Sequence, residues 1–142
     1  MASISTTLTE DHRHCDTLFA RIEERVSQGD WTQADRDFSE FARAMERHLG
    51  FEEGTLFPAF EQATGNHAGL TQVMRMEHKQ MRALFQEMEE GIRGQDANRY
   101  LGLSETLLIM TQQHNMKEEH ILYRLAEQAL GQEGPTLLAR FG

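Results

Sequence analysis

The chain has one cysteine, Cys15, two prolines and one tryptophan in 142 residues. A lone cysteine excludes an internal disulfide framework and fits a reducing compartment. Scarce proline and few β-branched residues favour long helices over a sheet. Cationic side chains are also few: 14 Lys and Arg stand against 23 Asp and Glu, a net charge of −9. That balance argues against nonspecific attraction to nucleic acid or to an acidic membrane surface. No apolar run approaches the roughly 20 residues of a membrane-spanning helix. The opening Met1-Ala2-Ser3-Ile4-Ser5-Thr6-Thr7 lacks the basic segment and apolar run of a secretory leader. The expectation is a cytoplasmic protein, one domain over residues 1–142, with neither nucleic acid nor membrane as partner.

What the chain does have is a stretch that returns. Met45-Glu46-Arg47-His48-Leu49-Gly50-Phe51-Glu52-Glu53 comes back as Thr111-Gln112-Gln113-His114-Asn115-Met116-Lys117-Glu118-Glu119. Each copy holds a His and, four residues on, a Glu, which share one face of a helix. The shift of 66 residues extends further: His12 maps to His78, Asp11 to Glu77, Arg13 to Lys79, and Glu61-Gln62-Ala63 to Glu127-Gln128-Ala129. The chain therefore reads as two helical hairpins related by a pseudo-two-fold.

Four long helices are expected, in an up-down-up-down bundle with a short C-terminal helix. The first begins at a capping box, Thr7 to Glu10, and runs to about Gln28 with Leu8, His12, Cys15, Phe19, Ile22 and Val26 as its apolar seam. Gly29 stops it and Asp30 caps the second. The second runs from Trp31 to about Ala63 through Ala34, Phe38, Phe41, Met45, His48 and Glu52, with Pro58 predicted to kink it. Residues 64–67 form the turn between hairpins. The third helix, from about Gly69 to Glu90, carries Met74, His78, Met81, Phe85 and Met88. The fourth starts at Asp96 and ends near Leu130, with Tyr100, Leu103, Leu107, Met110, His114, Glu118, Ile121 and Leu125 as seam. A last helix, begun by Pro135, places Leu137, Leu138 and Phe141 over one end of the bundle.

His12, His48, Glu52, His78, His114 and Glu118 thus fall on positions that the pattern assigns to the core. Buried polar groups must be satisfied. A hydrogen-bonded polar layer or partial solvation would do so, but neither explains two matched sets. A metal does, since imidazole suits iron and zinc and a carboxylate can join two cations. The symmetry suggests His12 and His48 on one metal, His78 and His114 on the other, and Glu52 and Glu118 bridging. A ferritin-type site is disfavoured: it uses Glu-x-x-His, and no core His here has Glu three residues before it. Structural zinc is the remaining alternative.

In its ordered set of motifs the chain resembles the hemerythrin-like, or HHE cation-binding, domains. The carrying residues are Asp11-His12-Arg13, His48-Leu49-Gly50-Phe51-Glu52-Glu53 with Leu56-Phe57-Pro58, Glu77-His78-Lys79, and His114 to Glu119. The resemblance implies a non-haem di-iron centre (Fe2+/Fe3+) with a bridging oxo, hydroxo or water, inside a four-helix bundle and open to O2, NO or peroxide. It also implies His12, His48, His78 and His114 as terminal ligands and Glu52 and Glu118 as bridges. Oxygen-carrying hemerythrins place two His four residues apart on the third helix. Here Met74 and Arg82 flank His78, so a fifth His is absent. The set is closer to the di-iron domain of proteins implicated in repairing iron–sulfur centres after nitrosative stress. Ligand binding or sensing, peroxide or NO turnover, and iron donation are the competing roles. The partners expected are a small diatomic or peroxide and an unknown redox protein, around a monomer or weak dimer.

Other polar residues receive plainer readings. His14 and His120 fall off the seam and His67 lies in a turn, so all three are expected at the surface. Glu53 and Glu119 sit one step off the ligand face, facing solvent or orienting a ligand His. Cys15 is expected as a small buried residue, Tyr100 and Tyr123 as packing groups, and Met45, Met74, Met81, Met88 and Met110 as core filling.

Overall fold

The computed structural model describes residues 2–65 and 69–142. Among these residues every regular element is helical. Helix α1 spans Ile4–Ser27 and α2 Trp31–Phe51; a π-helical turn over Glu52–Leu56 leads into α3, Phe57–Thr64. The second hairpin repeats the plan with α4 (Leu70–Arg93), α5 (Ala97–Lys117), a π turn over Glu118–Leu122 and α6 (Tyr123–Leu130). A short α7, Glu133–Leu138, follows. Helix α1 packs on α2 and α4 on α5; the hairpins meet through α2 with α4 and α1 with α5, and α3 packs on α6. This is the expected up-down-up-down bundle, each long second arm being continuous through its π turn.

The helix boundaries follow local chemistry. Asp30 and Asp96 cap α2 and α5 as expected, each side chain accepting from the backbone N–H three residues on. Helix α1 starts earlier than the Thr7 capping box predicts. Ser3 is the N-cap, accepting from the Thr6 N–H at 3.1 Å. The earlier start buries Ile4 in the core. Helix α7 begins at Glu133, so Pro135 stands at its third position, still in the first turn where an N–H would lack a partner. Of the predicted turn between hairpins, Thr64 and Gly65 are described and Gly65 is left-handed; His67 lies outside the described residues.

The π turns correct the expected register. Pro58 was the predicted cause of a kink, yet both halves carry the turn, and Arg124 stands where the repeat has Pro58. The turn closes with the Phe57 N–H on the Glu52 carbonyl and the Tyr123 N–H on the Glu118 carbonyl, five residues back. One extra residue rotates everything beyond it. Ile121 and Leu125, expected on the seam, are 48% and 43% exposed, and Leu122, Tyr123 and Ala126 are buried instead.

Two apolar clusters result. One holds Phe19, Phe38, Phe41, Met45, Met81, Leu107 and their neighbours. The other holds Ile4, Leu8, Leu56, Phe57, Met74, Leu122 and Tyr123, closed by Leu138 and Phe141 as expected. Along α1 the chain passes from Leu8 in the second cluster, through His12, to Cys15 in the first; α4 does the same through Met74, His78 and Met81. The polar residues therefore form a layer between the two clusters.

Candidate metal centre

All six seam residues reach that layer and all are buried, with Glu52, His78 and Glu118 fully so. His48 and Glu52, like His114 and Glu118, lie one helical turn apart, and each π turn begins at the Glu. The two oxygens of each carboxylate face different histidines. Glu52 places Oε2 3.2 Å from Nε2 of His48 and Oε1 3.2 Å from Nε2 of His78. Glu118 places Oε1 3.1 Å from Nε2 of His12 and Oε2 3.2 Å from Nε2 of His114. The donors form two groups, His12, His48, Glu52 and Glu118, and Glu52, His78, His114 and Glu118, with the ligand atoms of each group within 4.8 Å of one another. His12 is thus grouped with His48, and His78 with His114.

The outward nitrogens are held by a ring of carboxylates. His48 Nδ1 lies 2.8 Å from Asp11 and His114 Nδ1 2.8 Å from Glu77; His12 Nδ1 lies 2.7 Å from Glu119 and His78 Nδ1 2.6 Å from Glu53. Such partners fix the imidazole and turn its other nitrogen inward. Glu53 and Glu119 thus hydrogen-bond and orient core histidines, rather than facing solvent alone. In the sequence Asp11 and Glu77 stand out through the repeat and through the motifs that carry the family resemblance. Each is the residue before a core His but serves the His of the neighbouring helix, a pairing that spacing along one helix cannot reveal.

Charges tune the layer. Burial alone would pull the His48 imidazole down, but the Glu52 carboxylate and the Asp11 hydrogen bond outweigh it and push it up to about 10. His114 is pushed up to about 9 against the same burial, by Glu118 and Glu77. Burial raises Asp11 and Glu77, yet hydrogen bonds to their histidines, and Lys117 for Glu77, hold both below the usual carboxylate range.

Tyr123, expected to pack, does more. It is fully buried, and its hydroxyl lies 2.6 Å from Glu52 Oε2, 2.9 Å from Glu118 Oε1, 3.2 Å from His12 Nε2 and 3.3 Å from His48 Nε2. The repeat offered a signal, because position 123 maps onto Phe57. The rings are equivalent: Tyr123 stacks on His12 at 5.8 Å and 25°, Phe57 on His78 at 5.7 Å and 27°. Tyr100 remains a packing residue, in the first apolar cluster. His14 and His120 are exposed, and Cys15 is buried with its thiol pushed up to about 12 by burial and by Asp11 and Asp16.

A narrow cavity of about 20 Å³, room for a molecule the size of water or a diatomic, adjoins the layer. Phe19, Phe41, Met45, Leu49, Met81 and Leu107 wall it, His12, His48, His114 and Glu118 border it, and Asp16, Thr111 and Asn115 add polar groups.

The donor set fits a cation. Glu52 Oε1, His78 Nε2, His114 Nε2 and Glu118 Oε2 are buried without a hydrogen-bond partner, the facing atoms being near but not aligned. A bundle with a buried, two-fold-related His and Glu layer is a helical cation-binding domain. The Hemerythrin HHE cation binding domain profile matches residues 3–126, and the chain belongs to that family. No match was found among curated proteins or among solved structures. No described helix is long and apolar enough to cross a membrane.

Proposed function

We propose that this is a non-haem di-iron protein that binds or reacts with O2, NO or peroxide. The carrying observation is that each buried carboxylate turns one oxygen toward each histidine pair. In this reading His12 and His48 would hold one iron, His78 and His114 the other, and Glu52 and Glu118 would serve both. Iron so held supplies one-electron redox chemistry and a place for a diatomic or peroxide to bind. The chain's own residues do the rest. Asp11, Glu53, Glu77 and Glu119 keep the imidazoles turned inward. The aromatic and thioether walls of the cavity admit a small, weakly polar molecule and keep bulk water out. The complete burial of Glu52, His78 and Glu118 favours a resident centre over an iron donor, whose ligands must release metal to an acceptor. Stopped-flow mixing of the reduced, iron-loaded protein with O2, NO and peroxide tests the reading. A ligand-dependent spectral change is expected; no change with any of the three would overturn it.

A further inference from the structure

The two halves of the layer share their ring stacking and differ by one oxygen. Around the His78 and His114 half the inward donors are two imidazole nitrogens and two carboxylate oxygens, with the Phe57 ring, which has no hydroxyl, stacked on His78. Around the His12 and His48 half the same four donors are joined by the Tyr123 hydroxyl. That oxygen is close to all four donors at once, at 2.6, 2.9, 3.2 and 3.3 Å. A hydroxyl has one proton and can donate to one carboxylate only. The other carboxylate oxygen then faces a lone pair at hydrogen-bond distance, in a fully buried place where such a repulsion is weakly screened. A cation among these atoms turns all five into donors to one charge.

We propose that Tyr123 is a fifth protein donor to the cation held by His12, His48, Glu52 and Glu118, so that the two cations of the centre are inequivalent. The inference rests on the two-cation reading above. On binding, the phenol O–H bond breaks, the oxygen keeps the electron pair and bonds the cation, and the proton leaves to solvent. The half served by His78 and His114 keeps one protein donor fewer. Tyr123 belongs to the second apolar cluster and does not line the cavity, so its bond to the cation leaves that approach clear.

The test is the absorption, resonance Raman and Mössbauer spectra of the ferric, iron-loaded chain, with metal content measured on the same samples. The wild-type protein should hold two irons, show a visible phenolate-to-ferric band with enhanced tyrosine ring modes, and give two distinct iron signals. Tyr123→Phe, which installs the ring already present at position 57, should keep both irons, lose the band entirely and bring the two signals together. A tyrosine that only hydrogen-bonds Glu52 would give two irons and no phenolate band in the wild type, and that result overturns the proposal while sparing the two-cation reading. A wild-type chain unable to hold two irons overturns that reading itself. Because the wild-type spectrum alone decides coordination, misfolding of the variant would not shield the proposal.

Discussion

The two halves of the centre are built from one plan and dressed differently. On the His78 side, Arg82 donates to Glu53 at 2.8 Å and Lys117 to Glu77 at 2.6 Å, so each outer carboxylate is shared between an imidazole and a cationic side chain. On the His12 side, the repeat puts Asp16 where Arg82 would stand and Phe51 where Lys117 would stand. Asp16 is itself raised by burial and by Glu119, with His12 opposing. One half is thus braced by cations from outside, and the other gains a hydroxyl from inside. The inner His and Glu frame keeps the two-fold, each carboxylate facing both halves. The surroundings do not, and there the copies have diverged.

Removing a shared carboxylate should have the largest effect, because it breaks both halves at once. Glu52→Ala or Glu118→Ala is expected to abolish binding of two cations, read as iron content after desalting. Two tightly held irons in either variant would refute the spanning role. Next come the outer carboxylates, which divide the halves. Glu119→Ala and Glu53→Ala should each weaken the cation on its own side by roughly 10–100-fold in a competition titration. Equal loss from both halves in either variant would show that the outer ring does not act locally.

Acidity separates the halves more gently. In the metal-free protein His48 and His114 lie above the ordinary 6.5, at about 10 and about 9. Their stabilisation is present in full below about pH 6.5 and is lost as pH rises through 9 and then 10. Thermal melts of chelator-treated protein should therefore show Tm falling across that window. Cation affinity should rise over the same window, because binding releases those protons. A flat Tm from pH 6 to 10 would contradict the charged state assigned to both histidines.

The smallest effect concerns the hairpin turns. Gly29 and Gln95 are equivalent, and both are left-handed, at φ 73° and 51°. Only the glycine adopts that conformation without strain. Gln95→Gly should stabilise by roughly 0.5–1 kcal/mol in denaturant melts, and Gly29→Gln should destabilise by about 1 kcal/mol. Space is not the issue at residue 29, since nothing lies within 4 Å of an added Cβ.

Much of this was legible in the chain. The 66-residue shift aligned the histidines, the carboxylates and both aspartate caps, and helical spacing put His48 with Glu52 and His114 with Glu118. What stayed hidden is not periodic. The π turns arise over Glu52-Glu53-Gly54-Thr55-Leu56 and Glu118-Glu119-His120-Ile121-Leu122, which share only their first two residues and their last. An α-helical wheel continued past them points Ile121 inward and Tyr123 aside, the reverse of what is found. The Asp11 to His48 and Glu77 to His114 bonds cross between helices, where only the packed bundle brings the partners together.

The most direct test of the account is the metal content of anaerobically purified protein, with its optical spectrum before and after air. Two irons per chain and new near-ultraviolet bands on oxidation are predicted. A chain that holds zinc or no metal, and whose spectrum does not change with added ferrous iron and air, would contradict it.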